Sequence, residues 1–127
     1  MSRNVFTWVE IYVEDMDRAR KFYETVLQVE MTEMQTPGGI DDFQMIGFPW
    51  EENAPNISGA LVKTSSVKPG IGGTVAYFSC EDCTAEISRV ENAGGKIYKP
   101  KFSIGEYGFC GICSDTEGNT IGFHSMK

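Results

Sequence analysis

Four cysteines stand in two pairs with the C-x2-C spacing of structural zinc sites, Cys80 with Cys83 and Cys110 with Cys113. Residues 84–109 separate the pairs, which is a longer gap than a zinc ribbon uses. Cys110 and Cys113 also fall in a predicted strand, where residues three apart point to opposite faces. We therefore expect reduced core cysteines. A zinc site is one alternative, and a redox role for Cys80 and Cys83 is another, because Cys83 begins a predicted helix that would lower its thiol pKa.

Glu10 and His124 are the candidate acid–base pair. His124 is the single histidine of the sequence. A carboxylate beside an imidazole raises the imidazole pKa and can support general acid–base catalysis. His124 also lies three residues from the end of the sequence, so the alternative is a histidine exposed at the rim of the fold.

Five aromatic residues form the candidate ligand-binding set: Trp8, Tyr12, Trp50, Tyr77 and Tyr107. On the concave face of a sheet they would stack on a flat or hydrophobic molecule, with Glu10 as a polar anchor. The alternative is a cavity that these side chains fill themselves. The sequence supports an empty ligand pocket and a cavity filled by its own side chains equally well.

These residues depend on a strand that continues directly into a helix. Val9, Ile11 and Val13 alternate with more polar positions, which is the period of a half-buried strand. Asp15 is a typical N-cap, and apolar residues then recur at helical spacing as far as Leu27. The sequence therefore predicts β followed by amphipathic α over residues 8–27.

The same order of elements occurs twice, since Glu14-Asp15 recurs as Glu81-Asp82 and Asn56-Ile57-Ser58-Gly59 as Asn119-Thr120-Ile121-Gly122. The pattern predicts a second helix at 82–93, ended by Gly94-Gly95, and a turn at 36–39. Strands are predicted at 29–35, 43–48, 57–62, 74–80, 96–102, 107–113 and 119–125. We infer one domain of residues 1–127 with two βαβββ half-domains, about 4–63 and 73–127, joined by a linker at 64–72.

Two such halves can bury their apolar surfaces when each sheet packs a helix on one face and the opposite faces of the two sheets enclose a shared cavity. Strand parity then divides the side chains into two sets. The helix side is predicted to receive Val9, Ile11, Val13, Ala76, Phe78, Cys80, Ile121 and Phe123. The cavity side is predicted to receive Trp8, Glu10, Tyr12, Val75, Tyr77, Ser79, Gly122 and His124.

Two motifs resemble those of the vicinal oxygen chelate superfamily, which includes glyoxalase I, extradiol dioxygenases and the bleomycin- and fosfomycin-resistance proteins. They are Asp15-x-x-Arg18-Ala19-x-x-Phe22-Tyr23-x-x-Val26-Leu27 and Asp115-x-Glu117-Gly118-Asn119-x-Ile121. The resemblance covers nearly the whole chain. It implies an α+β fold in which two tandem βαβββ half-domains form an incomplete barrel around a concave cavity. It also implies a homodimer.

Metal-dependent members of this superfamily bind one divalent ion through side chains at four positions. By resemblance these positions correspond to Trp8, Gly59, Val75 and Gly122, and a shift of one residue would offer Val9 and Thr74. Such ions need oxygen or nitrogen donors, which the first four side chains lack. We therefore expect no metal and no cofactor.

Composition excludes several classes of partner. Eleven Lys and Arg against 18 Asp and Glu give a formal charge of −7, which disfavours nucleic acid and anionic membranes. With no leader or long apolar run, we expect a cytoplasmic protein.

The leading prediction is a metal-independent, bleomycin-resistance-like binder of a small, partly aromatic or hydrophobic ligand. One alternative is a glyoxalase-related lyase or isomerase that uses Glu10 and His124, or a metal ion if the assignment of the four positions is wrong. The other alternative is a non-catalytic module that binds a protein partner.

Overall fold

A computed structural model describes residues 6, 8–35, 42–72 and 74–127 of the chain. The predicted turn at 36–39 lies outside these residues. The described elements are β1 (Trp8–Tyr12), α1 (Met16–Leu27), β2 (Thr32–Met34), β3 (Gln44–Gly47), β4 (Ser58–Lys63), β5 (Ala76–Ser79), α2 (Cys83–Val90), β6 (Lys96–Ser103), β7 (Phe109–Ser114) and β8 (Thr120–Ser125). Each half of the chain therefore has the order βαβββ.

The strands form two four-stranded sheets with the same topology. The strand orders are β1-β4-β3-β2 and β5-β8-β7-β6. β1 runs parallel to β4 and β5 parallel to β8, while the other neighbours are antiparallel. β1 and β5 are each an edge of their own sheet, so no closed barrel forms among the described strands. The predicted α+β fold with tandem half-domains is confirmed.

α1 forms where the sequence predicts it. The Asp15 side chain accepts a hydrogen bond from the Arg18 amide at 3.0 Å, which satisfies one of the free donors at the helix start. The chain leaves the helix at Gln28, whose φ of 56° is left-handed. The buried face consists of Met16, Ala19, Phe22, Tyr23 and Val26. This spacing is that of one face of a helix.

α2 ends at Val90, three residues before the predicted end. The Gly95 amide donates to the Val90 carbonyl at 2.9 Å and closes the helix in a turn that Gly94 permits with its φ of 102°. Tyr107 also differs from the prediction, because it ends a 3₁₀ turn at Gly105–Tyr107 and does not begin a strand. Gly105, which begins this turn, and Gly108, which follows it, have positive φ angles, and a strand cannot continue through such a conformation.

The hydrophobic core joins the two halves. The ring of Tyr23 on α1 lies 5.6 Å from Phe48 and 5.7 Å from Phe78, and Phe78 lies 5.7 Å from Phe123. The Arg89 side chain of α2 donates to the Val26 carbonyl at 2.9 Å. Within the described residues, the structure contains no helix with the length and hydropathy that a membrane span needs.

The turn between β7 and β8 caps the start of α1 from the other half. Glu117 Oε1 accepts hydrogen bonds from the amides of Glu14 at 2.9 Å and Asp15 at 2.8 Å. Arg18 Nε lies 2.8 Å from Glu117 Oε2, and the Glu117 side chain is completely buried. A carboxylate at this position satisfies free amides and complements the positive end of the helix.

Asp115 and Asn119 of the same turn complete this connection. Asp115 is buried and accepts a hydrogen bond of 2.6 Å from the Tyr23 hydroxyl. Asn119 Nδ2 donates to the Tyr12 carbonyl at 2.8 Å. The second sequence motif therefore attaches the second half-domain to both β1 and α1.

Candidate functional site

The face of β1 opposite the buried Ile11 carries a carboxylate between two aromatic side chains. Glu10 Oε2 accepts a hydrogen bond of 3.3 Å from the Trp8 indole, and Glu10 Oε1 accepts one of 2.8 Å from the Tyr12 hydroxyl. The Glu10 hydrogen bond, together with partial burial, raises the pKa of Tyr12 above its usual value, so the phenol stays protonated as a donor. Alternation along the strand places all three on the predicted face.

These residues lie in a cleft of about 510 Å³, here called the main cleft. Consecutive β1 residues 8–12 line it, so it follows the open edge of this strand. The opposite wall comes from the starts of β5 and β8 and from the linker, including Val75, Thr120, Lys68 and Gly70. Sequence reasoning missed Lys68 and the exposed Phe6, because no periodic pattern connects either residue to β1.

Tyr77 lines an adjoining cleft of about 370 Å³, here called the side cleft, which shares Phe6, Val9 and Val75 with the main cleft. Tyr77 is 53% exposed. Its ring covers Gly122, where an added Cβ would lie 2.4 Å from the ring atom Cε2. Glycine at this position therefore gives space to the tyrosine ring, and the ring still presents half of its surface to the solvent.

Trp50 lies in the loop between β3 and β4 and is 70% exposed. A shallow groove of about 390 Å³ connects it with Trp8, Met34 and Pro49. The structure therefore places Trp50 near one end of the β1 site, where the two tryptophans share one surface.

His124 lies beside the main chain of Tyr107. His124 Nε2 is 2.7 Å from the Tyr107 carbonyl oxygen, and Tyr107 is 68% exposed. Glu10 instead contacts Trp8 and Tyr12. Neither a hydrogen bond nor an ion pair joins Glu10 to His124, both of which the structure describes. The acid–base pair stays a prediction, and in the structure its two side chains have separate partners.

The residues at the family's metal positions do not fit a metal ion. Trp8, Val75 and Gly122 lack donor side chains, as expected. Gly59 pairs with Val9 in the register of β1 and β4. The β4 residues on the same face as Trp8 are Ser58, which pairs with Trp8, and Ala60, which pairs with Glu10. Gly59 therefore lies on the opposite face of the sheet from Trp8, although the resemblance assigns both positions to one ion. No group of three or more His, Cys, Asp or Glu side chains with metal-binding geometry occurs in the part of the chain that the structure describes.

The cysteines are free thiols in the structure. Cys83, Cys110 and Cys113 are buried and Cys80 is half-buried. Cys110 pairs with His124 and Cys113 with Ile121, so the two occupy opposite faces of β7 as expected. Burial and the nearby Glu86 carboxylate raise the pKa of Cys80 to about 12. Cys80 is therefore a protonated thiol near neutral pH, which removes support for a reactive Cys80–Cys83 pair.

Solved structures of known proteins share this fold. TnmS3, an antibiotic binding protein from Streptomyces sp. CB03234, matches with a TM-score of 0.69 and 22% identity over 98% of each chain. The V278E mutant of glyoxalase I from Zea mays matches with a TM-score of 0.72 and 17% identity, over 94% of this chain and 45% of that chain. At these identities the likeness concerns the fold.

Curated relatives match the sequence over a single segment of their length. Proteins named "Putative glyoxylase CFP32" from Mycobacterium bovis and Mycobacterium tuberculosis are 28% identical over 115 residues. The match covers 91% of this chain, which spans about 43% of each relative. The family model described as Glyoxalase/Bleomycin resistance protein/Dioxygenase superfamily matches residues 5–123. The chain therefore belongs to the glyoxalase/bleomycin resistance protein/dioxygenase superfamily.

Proposed function

We propose that this protein binds a small, partly aromatic or hydrophobic ligand in the main cleft without a metal ion. The observation that carries the proposal is the face of β1, where two aromatic side chains and a carboxylate lie in a cleft of about 510 Å³. Clefts of this volume with aromatic walls and a few polar groups suit small organic ligands. The proposal is supported by TnmS3, an antibiotic binding protein that shares this fold.

The alternative of acid–base catalysis has weaker support. Glu10 and His124 have separate hydrogen-bond partners, and a general base needs its reacting partner within hydrogen-bond reach. The enzyme alternative, the protein-partner alternative, the homodimer and the cytoplasmic location stay predictions.

Replacing Trp8 with alanine should weaken binding of the neutral aromatic dye Nile red at least tenfold. Trp8 lines the main cleft and is 38% exposed, so its removal takes away stacking area without opening the core. Fluorescence titration of the dye measures the affinity, and circular dichroism checks the fold. Tyr98→Ala is the matched control, because Tyr98 is an aromatic residue 57% exposed on β6, outside the clefts described above. Equal dye affinity in Trp8→Ala and wild type would exclude the main cleft.

Metal independence has its own measurement. Protein purified without an affinity tag and without a chelator should contain much less than one transition-metal ion per chain by inductively coupled plasma mass spectrometry. The reason is the absence of donor side chains at Trp8, Val75 and Gly122. About one ion per chain would contradict this part of the proposal.

A further inference from the structure

The two charged residues of the main cleft have different partners on the protein. Glu10 and Lys68 are the charged residues among those that line it. Lys68 Nζ lies 3.5 Å from Glu14 Oε1, so its charge has a partner on the protein. The hydrogen bonds to Glu10 come from neutral groups, the Trp8 indole and the Tyr12 hydroxyl. Neither hydrogen bond therefore brings a positive charge to Glu10.

The two donors also orient the carboxylate. Each Glu10 oxygen accepts one hydrogen bond from its own strand, and a carboxylate has about four acceptor positions. About two of these stay available for a ligand. Glu10 is exposed, so a ligand reaches it without a change in the core. An oriented carboxylate loses less entropy on binding than a free one.

The neighbouring rings favour the same kind of ligand. A cation near the face of tryptophan or tyrosine is attracted by the ring's quadrupole, and this attraction adds to a charge-assisted hydrogen bond. An anion would meet the Glu10 charge at close range. The walls opposite β1 contribute uncharged residues such as Thr74, Val75 and Thr120. Lys68 is the cation on that wall, and its ammonium group already faces the Glu14 carboxylate.

We infer that the ligand carries a protonated amine or a similar nitrogen cation on its aromatic part, and that Glu10 selects it. This inference rests on the proposed function, since it names the ligand class of the same cleft. Trp8 and Tyr12 provide the stacking surface and hold the carboxylate in place. Glu10 is thus a specificity-determining residue.

Three probes with one ring system and different charges test the inference. They are 2-naphthylmethylamine, which is a cation at pH 7, the neutral 2-naphthylmethanol, and the anion 2-naphthoate. Isothermal titration calorimetry at low salt gives their affinities for the full chain. We expect the cation to bind about tenfold more tightly than the alcohol, and the anion to bind least. Glu10→Gln keeps the side chain's shape and should bring the cation and the alcohol to equal affinity.

The outcomes separate this inference from the proposed function. Equal affinities for cation and alcohol in wild type would overturn the inference, and so would a cation preference that persists in Glu10→Gln. In both cases binding of the alcohol that depends on Trp8 would leave the proposed function standing. If none of the probes and no Nile red binds, the proposed function fails as well. Glu106→Gln, a change at an exposed glutamate outside the cleft, should preserve the wild-type order.

Discussion

Glu117→Gln is expected to lower the free energy of unfolding at pH 7 by about 2 kcal/mol. Burial by itself would raise the pKa of Glu117, but hydrogen bonds from Arg18, the Asp15 amide, Thr116 and the Glu14 amide outweigh it and hold the pKa at about 2. The difference from the ordinary value of 4.5 corresponds to about 3 kcal/mol. Arg18 is half exposed, and solvent screening reduces this to about 2 kcal/mol.

The same residue gives the pH dependence a definite sign. Because the folded pKa lies below the unfolded one, Glu117 stabilises the fold fully above about pH 4.5 and loses this contribution as the pH falls towards 2. Wild type should therefore lose about 2 kcal/mol more than Glu117→Gln over that interval. Glutamine keeps an acceptor for the helix amides, so the variant isolates the charge and its ion pair with Arg18.

Urea unfolding followed by circular dichroism at pH 7, 4.5 and 2 measures both effects. Glu106→Gln is the control, since Glu106 is an exposed glutamate on the 3₁₀ turn and should leave the pH dependence unchanged. If the free energy of unfolding falls by the same amount in wild type and Glu117→Gln as the pH is lowered, protonation of Glu117 does not cause the pH dependence.

Gly59→Ala is expected to destabilise the protein by about 3 kcal/mol or to prevent folding. A Cβ built on Gly59 would lie 2.0 Å from the carbonyl oxygen of Val9 and 2.9 Å from its carbon. These are backbone atoms of the neighbouring strand, so no side-chain rotation can relieve the contact. The β1–β4 register would have to shift, and with it the face that carries Trp8 and Glu10.

Gly72→Ala is the matched control for the close contact between Gly59 and the Val9 backbone. A Cβ at Gly72 meets nothing within 4 Å, so the change should alter stability by less than about 0.5 kcal/mol. Thermal unfolding and soluble yield are compared for the two variants. Equal stability of Gly59→Ala and Gly72→Ala would show that β1 and β4 do not require glycine at their contact.

Sequence patterns identified the β1 site because strand alternation is a local property. The period of two along residues 8–13 separates Trp8, Glu10 and Tyr12 from the buried Ile11 and Val13, and the structure shows this division. The start of α1 was likewise predicted from Asp15 as an N-cap residue. In the structure Asp15 accepts a hydrogen bond from the Arg18 amide, three positions further along the chain. Interactions this close in the chain need no knowledge of the fold.

The separate hydrogen-bond partners of Glu10 and His124 could not be predicted from parity, because parity says which face a residue occupies and not which residues it contacts. His124 lies on β8 beside β5, and its ring contacts the Tyr107 carbonyl from a turn that the sequence assigned to a strand. The resemblance assigned Gly59 to one ion site with Trp8, whereas the strand register pairs Gly59 with Val9 on the other face of the sheet.

The sequence by itself determined the repeated βαβββ order, the superfamily and the alternation that exposes Trp8, Glu10 and Tyr12. These features depend on residue type and on short spacings. Only the tertiary structure decided that the edges of β1 and β5 leave a cleft, that Lys68 joins its wall, and that Glu117 caps a helix in the other half. Such contacts join residues far apart in the chain, and their geometry arises from packing the two sheets and helices around one core.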